Sequence, residues 1–351
     1  MSSQNHISPR PQLYGAATSL SHLTSGVDSR TGNFQASVVL GTVVSGLQEP
    51  AAFSLTLLLG TAAHLTSRLI SGASSQNAIE FGFNIPRLVI DAENPVLSKI
   101  YFASGEVDEL IYNVTQNTLT PRYHKTNNIQ IERYHHTADT RLTRGYKISY
   151  KDGRIEYYNS EGRITHLYSA SGAGLWFEYG DGLIPLQKVR NEDNSNYIEW
   201  SAQDLPADNL GDKLVTVTQM MDGVSTVIQY DLKCRVESTT PFNQIYYISR
   251  VSMPNDLERW ITFEYQKPPS LDYYVLSGVI TPMGLYKVVA QFGTRQLSQE
   301  THYPVVERVQ EQNIFGFRVN TYDIAEIDYD YSADKNCTGY ASDSTPVAGI
   351  D

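Results

Sequence analysis

The sequence predicts an all-β fold, a meander of antiparallel sheets built from short, tyrosine-rich strands and hairpins. Three observations carry this expectation. Apolar and polar residues alternate in short runs along most of the chain, which is the period of a half-buried strand. Turn pairs punctuate those runs: Asp152-Gly153, Glu161-Gly162, Asp181-Gly182 and Asp222-Gly223. The chain also holds 24 Tyr against 3 Trp and 11 Phe. Tyrosine suits a strand with one buried face and a hydroxyl at the wet rim. No long helical period competes.

Taken in order, residues 1–22 are polar, carry Pro9 and Pro11, and read as a flexible lead. Ser25-Gly26-Val27-Asp28-Ser29-Arg30-Thr31-Gly32-Asn33-Phe34 reads as a turn feeding a strand. In that strand Phe34, Ala36, Val38 and Leu40 alternate. A loop, Gly46-Leu47-Gln48-Glu49-Pro50, leads to a second apolar strand over 51–59. Residues 61–78 are rich in Ser, Ala and Gly, and the spacing of Leu65, Leu69 and Ile70 allows a short helix. The run 81–90 reads as a strand interrupted by Pro86, hence an edge or a bulge.

From residue 98 the rhythm is regular. Strands are expected at 99–102, 109–113, 130–134, 146–150, 154–158, 164–168, 175–179 and 186–190. Further ones are expected at 197–201, 213–219, 225–230, 244–251, 260–265, 275–280, 286–292 and 324–331. The Asp-Gly pairs between them predict type I′ turns, which need φ > 0 at both central positions. The domain plan is a lead at 1–22, an N-terminal β region at 23–97, a repeat-like β region at 98–340 and a polar tail at 341–351.

Composition narrows the function classes. Hydrophobic residues are 41% and charged residues 19%, as in a folded chain. The 27 basic and 38 acidic residues give a net charge of −11, and without a basic cluster the chain has nothing to attract phosphate backbones. Nucleic acid is therefore excluded as the expected partner. The locally basic region 121–154 and the acidic group Asp323, Glu326, Asp328, Asp330 and Asp334 read as solvated strand faces. The acidic group would also blunt an open sheet edge at 324–331. The stretch 51–59 is too short to span a bilayer. No secretory signal is visible, so synthesis in the cytoplasm is expected, with export by a specialised secretion system left open. Cys234 and Cys337 cannot make a zinc site or a disulfide framework; one disulfide or two free thiols both stay open.

Candidate chemistry is sparse. His135-His136 with His124 suggests metal, but adjacent strand histidines face opposite sides and no carboxylate or cysteine completes a set. Asp328-Tyr329-Asp330 puts two carboxylates on one strand face, as a glycosidase pair or a calcium site would, yet solvent-facing charges explain it as well. Ser171-Gly172-Ala173-Gly174 lacks a following helix and is not a phosphate loop. Trp176, Trp200 and Trp260 sit at comparable points of the repeat, in core roles or stacking on sugars. Asn113-Val114-Thr115 and Asn336-Cys337-Thr338 fit the glycosylation pattern. No residue is assigned a catalytic, cofactor or metal role.

An internal repeat is visible. Tyr150-Lys151-Asp152-Gly153-Arg154-Ile155-Glu156-Tyr157-Tyr158 is followed by Ser160-Glu161-Gly162-Arg163-Ile164-Thr165-His166-Leu167-Tyr168. Both read as a turn, Gly-Arg-Ile, then a strand ending in Tyr. Units this small must stack on neighbours to bury their apolar faces. Looser units recur at 188–200 and 250–265.

With these residues the chain resembles the N-terminal part of the Rhs/YD-repeat family, which includes polymorphic-toxin shells and the C-components of insecticidal toxin complexes. Ser25–Phe34 is similar to that family's "GVDPRTG" opening, with Ser29 in place of proline. Ala52-Phe53-Ser54-Leu55-Thr56-Leu57 is similar to its "P-L-x-L-x-L" strand. Phe83-Asn84-Ile85-Pro86-Arg87-Leu88 resembles the end of "GWSLNLPRI", with Glu80-Phe81 where Gly-Trp is usual. Tyr101-Phe102-Ala103-Ser104-Gly105-Glu106 and Asp328-Tyr329-Asp330-Tyr331-Ser332 resemble later segments.

The resemblance implies a bacterial, secreted structural scaffold, a wall segment of a hollow β-cage around a C-terminal toxic effector. Its partners would be the rest of the shell, another toxin subunit or that effector. The chain ends before enough repeats to close a cage and before the family's self-cleavage site, so enclosure of cargo by this chain alone is not expected. The alternative is a β-sandwich binding module for carbohydrate or a host surface; an enzyme comes third.

Overall fold

A computed structural model describes residues 13–14, 23–28, 34–46, 49–60, 83–90, 98–103, 107–113, 118–122, 129–134, 145–180, 186–205, 212–236, 244–266, 275–282, 287–296, 302–312 and 318–323. These residues are all-β. Strands β1 (Leu13–Tyr14), β2 (Leu23–Asp28), β3 (Phe34–Ser45) and β4 (Ala51–Gly60) form one sheet in that order. Next come β5 (Arg87–Val89), β6 (Lys99–Tyr101), β7 (Val107–Asn113), β8 (Thr118–Pro121) and β9 (Ile129–Tyr134). The repeat region gives β10 (Gly145–Tyr150), β11 (Ile155–Asn159), β12 (Ile164–Tyr168), β13 (Gly174–Tyr179) and β14 (Leu186–Asn191). Then follow β15 (Tyr197–Asp204), β16 (Lys213–Met221), β17 (Val224–Val236), β18 (Gln244–Met253) and β19 (Asp256–Gln266). Last are β20 (Val275–Ile280), β21 (Lys287–Gln296), β22 (His302–Gln312) and β23 (Arg318–Asp323). Among the described residues no helix is long and apolar enough to cross a membrane.

The chain divides into two units. One contains Met1–Val38, Leu58–Leu69 and Ile248–Asp351; the other contains Val39–Leu57 and Ile70–Tyr247. In the first, β19 to β23 form an antiparallel meander that begins on the second half of β18. The hairpin expected from the opening motif is also there, with Val27 opposite Phe34. However, Ser25–Asp28 belong to its first strand and not to the turn, because Ser25 pairs with Ala36. Leu13 and Tyr14, within the expected lead, pair with Asp28 and Val27.

In the second unit, β5 to β17 pair each with the next, antiparallel throughout. The apolar residues of each strand set one buried face: Ile131, Ile148, Tyr158, Leu175, Phe177, Val189, Ile198, Trp200, Val215 and Val217. The hairpin segment Val39–Leu57, which belongs to this unit, lies on this face. Phe53 meets Phe177 edge-on with centroids 5.1 Å apart, and Thr42 N donates to Gln219 Oε1 at 2.9 Å. Gly41 passes so close to Ile198 that a β-carbon would lie 3.3 Å from it. Burial of each such phenyl ring is worth about 1.5–3 kcal/mol.

Strands 164–168 and 275–280 form where expected. Strands β8, β22 and β23 were not expected. Phe83 bridges Leu57 before Pro86, and β5 follows it, so the proline does interrupt the run. The helix expected over 61–78 and the strand expected over 324–331 lie outside the described residues.

Candidate functional site

The turns set the geometry of β10 to β13. In the first, Gly153 N donates to Tyr150 O at 3.0 Å and Tyr150 N to Arg154 O at 2.9 Å. In the second, Gly162 N donates to Asn159 O and Asn159 N to Arg163 O. In the third, Gly172 N donates to Ser169 O and Ser169 N to Ala173 O. The three glycines have φ of 89°, 76° and 87°. These are three-residue loops closed by a left-handed glycine, and not type I′ turns. The type I′ expectation was wrong for Asp152-Gly153 because Asp152 spends its side chain on the loop, accepting from Arg154 N at 3.0 Å, and Asp181-Gly182 lies outside the described residues. Asn159 does the same in the next loop, where its Oδ1 accepts from Glu161 N and Arg163 N. The type I′ signature is present at Asp222-Gly223, with φ of 50° and 79°.

This regular pairing lines up side chains in rows across the sheet. On the face turned away from the core one row runs Glu132, Lys147, Tyr157, His166, Trp176, Arg190, Tyr197 and Met220 from β9 to β16. Its rings pack on one another and on Tyr168, two residues along β12 from His166. Tyr157 and Tyr168 meet edge-on at 5.9 Å, His166 and Tyr168 stack at 6.1 Å, and Trp176 meets His166 edge-on at 5.8 Å. Arg190 lies 5.6 Å from the Trp176 centroid and donates to Glu178 Oε1 at 2.5 Å. Lys188 lies 4.2 Å from the Tyr197 centroid and 3.2 Å from Glu199. Tyr168 and Trp176 also cover Gly174, where a β-carbon would lie 2.8 Å from one ring and 3.0 Å from the other. Covering a strand glycine with rings restores the packing that its missing side chain loses.

The neighbouring row on the buried face runs Ile131, Ile148, Glu156, Leu167 and Leu175. All are buried, including the carboxyl. Tyr158 donates to Glu156 Oε2 at 2.6 Å and Tyr150 donates to the same oxygen at 2.9 Å. Burial pushes the Glu156 carboxyl above the usual carboxylate range, and Arg154 and the two hydroxyls only partly oppose it. Burial and the adjacent Glu156 push both phenols up.

Of the tryptophans, Trp200 is buried, while Trp176 and Trp260 are half-exposed. Trp260 stands under the Arg250 guanidinium, 4.0 Å from its centroid. Tyr157, Tyr168 and Tyr179 are half-buried, and Tyr158 sits in the core. Ser171-Gly172-Ala173-Gly174 is the third hairpin loop followed by β13. Asn113 is exposed at the end of β7, and Cys234 lies in β17. His124, His135, His136, Asp328, Asp330, Asn336 and Cys337 lie outside the described residues. Among the described residues no three His, Cys, Asp or Glu side chains converge as a metal site.

Glu156 was missed in the sequence. The signal was its parity: it alternates with Tyr158 and so shares the buried face. Compared with known proteins, the chain matches no family model and no curated protein sequence.

Proposed function

We propose that this chain is a non-enzymatic wall segment of a β-shell of the Rhs/YD-repeat kind, whose work is shaping a container or docking its neighbours. One observation carries the reading. Three successive hairpins reuse the same glycine-closed loop within one antiparallel ladder from β5 to β17. A repeated turn with paired neighbours on both sides is how a sheet is extended unit by unit. The motif residues fit that role. Asn84, in the segment that resembles "NLPRI", pairs with β4 through both its backbone and its side chain.

The rings of the outward row suit the same reading, since they are engaged with one another, with Gly174 and with cations. The test is co-expression with the polypeptide encoded after codon 351, followed by electron microscopy and protease challenge. The expected result is one particle in which the downstream polypeptide is protected. A chain that stays apart from that polypeptide and binds immobilised glycans overturns this reading in favour of a binding module.

A further inference from the structure

Glu156 is an acid set in an apolar row, with buried Ile148 and Leu167 as its partners in register and only 3% of its own surface exposed. A carboxylate in such a place costs desolvation unless it is paired. Its hydrogen bonds come from Tyr150 and Tyr158, both at Oε2. The cation beside it is used elsewhere: the Arg154 guanidinium lies over the Tyr150 ring, 3.9 Å from the centroid. Arg154 Nε is buried without a hydrogen-bond partner. Asp152 in the adjoining loop adds negative charge, and Tyr179 on β13 faces Tyr158. From β12 the group meets apolar Leu167.

We propose that Glu156, Tyr150 and Arg154 form a proton-operated latch on the β10–β11 hairpin. With the carboxyl protonated, the acid needs no cation and the guanidinium stays stacked on the Tyr150 ring, which holds the hairpin closed. With it ionised, Arg154 leaves the Tyr150 ring to pair with the carboxylate, and the hairpin loosens. Burial, which favours the neutral acid, sets the sign. The stabilisation is full below the ordinary carboxyl value of about 4.3 and is lost as pH rises through the higher folded value. The latch does not depend on the shell reading.

The experiment measures the thermal midpoint, and amide exchange of β10 and β11, from about pH 4 to about pH 8. Wild type is compared with Glu156→Gln, which keeps the shape and never charges. The variant should match wild type near pH 4 and exceed it by about 2–4 °C near pH 8. Tyr150→Phe removes one donor to the ionised form, so its midpoint should fall more steeply with pH than that of wild type. Parallel pH curves for wild type and Glu156→Gln overturn the latch. If Glu156→Gln fails to fold, an unchanged slope in Tyr150→Phe overturns it.

Discussion

Leu88 and Gly162 grip each other through their backbones. Leu88 N donates to Gly162 O at 2.9 Å, and a β-carbon on Gly162 would lie 1.9 Å from Leu88 O. Strand β5 is thereby fixed to the second hairpin loop at a point where no side chain fits. Gly162→Ala should cost the left-handed strain, about 1–3 kcal/mol, and displace β5 as well. Gly172 has a similar φ of 87° with nothing within 4 Å of its β-carbon position. Its alanine variant should therefore lose only about 1–2 kcal/mol. Urea titration of both tests this, and equal losses would show that the Leu88 contact yields freely.

Asn84 imitates a strand residue with its side chain. Thr56 N donates to its Oδ1 at 2.7 Å, and its Nδ2 donates to Ser54 O at 2.7 Å. Asn84→Ala removes the side-chain acceptor of Thr56 N and leaves Ser54 O with the long 3.4 Å bond from Thr56 Oγ1, with an expected loss of roughly 1–3 kcal/mol. Asn84→Asp keeps the acceptor for Thr56 N but turns a second acceptor oxygen on Ser54 O, so it should also fall below wild type. An aspartate variant as stable as wild type would contradict the donor role of Nδ2.

The strands were legible where short apolar or aromatic runs are bounded by turn residues, as at β12, between Gly162 and Ser169, and β20, ahead of Pro282. The loops were not, because Asp-Gly serves both two-residue and three-residue turns. Which one forms at Asp152-Gly153 depends on Tyr150 pairing with Arg154. Neighbouring tyrosines posed the same difficulty. Tyr157 and Tyr158 point to opposite faces, and only the packing of the sheet decides which face is core. Strand β8 is short, and β22 contains Pro304, which argues against a paired strand. The carboxyl of Glu156 was hidden by the same ambiguity of parity, since charge suggested the wet face.

The tryptophans should separate by face. Trp200, buried and opposite Val217, should cost roughly 3–5 kcal/mol on truncation to alanine. Trp176 is half-exposed, and its loss uncovers Gly174 while Tyr168 remains in place. The expected cost is smaller, about 1–2 kcal/mol, from lost ring contacts. Chemical denaturation of the two variants orders them, and a Trp176 cost equal to that of Trp200 would mean that the outward row is as tightly packed as the core.

The last prediction concerns alkaline pH. Tyr158 and Tyr230 are almost wholly buried, and burial pushes both phenols above their ordinary value. Each therefore favours the folded chain below about pH 10, and that contribution is lost as pH rises beyond it, because the unfolded chain can ionise them. Phenolate absorbance at about pH 11 should fall short of the full 24 tyrosines until the chain unfolds cooperatively. Tyr230→Phe keeps the ring against Phe83, 6.2 Å away, and removes the ionisable group. It should move the alkaline unfolding midpoint upward. Tyr158→Phe also removes a donor to Glu156, so any gain at high pH should come with a loss of stability near pH 7. Full titration of all tyrosines at about pH 11 with the sheet still intact would refute the buried placement of both rings.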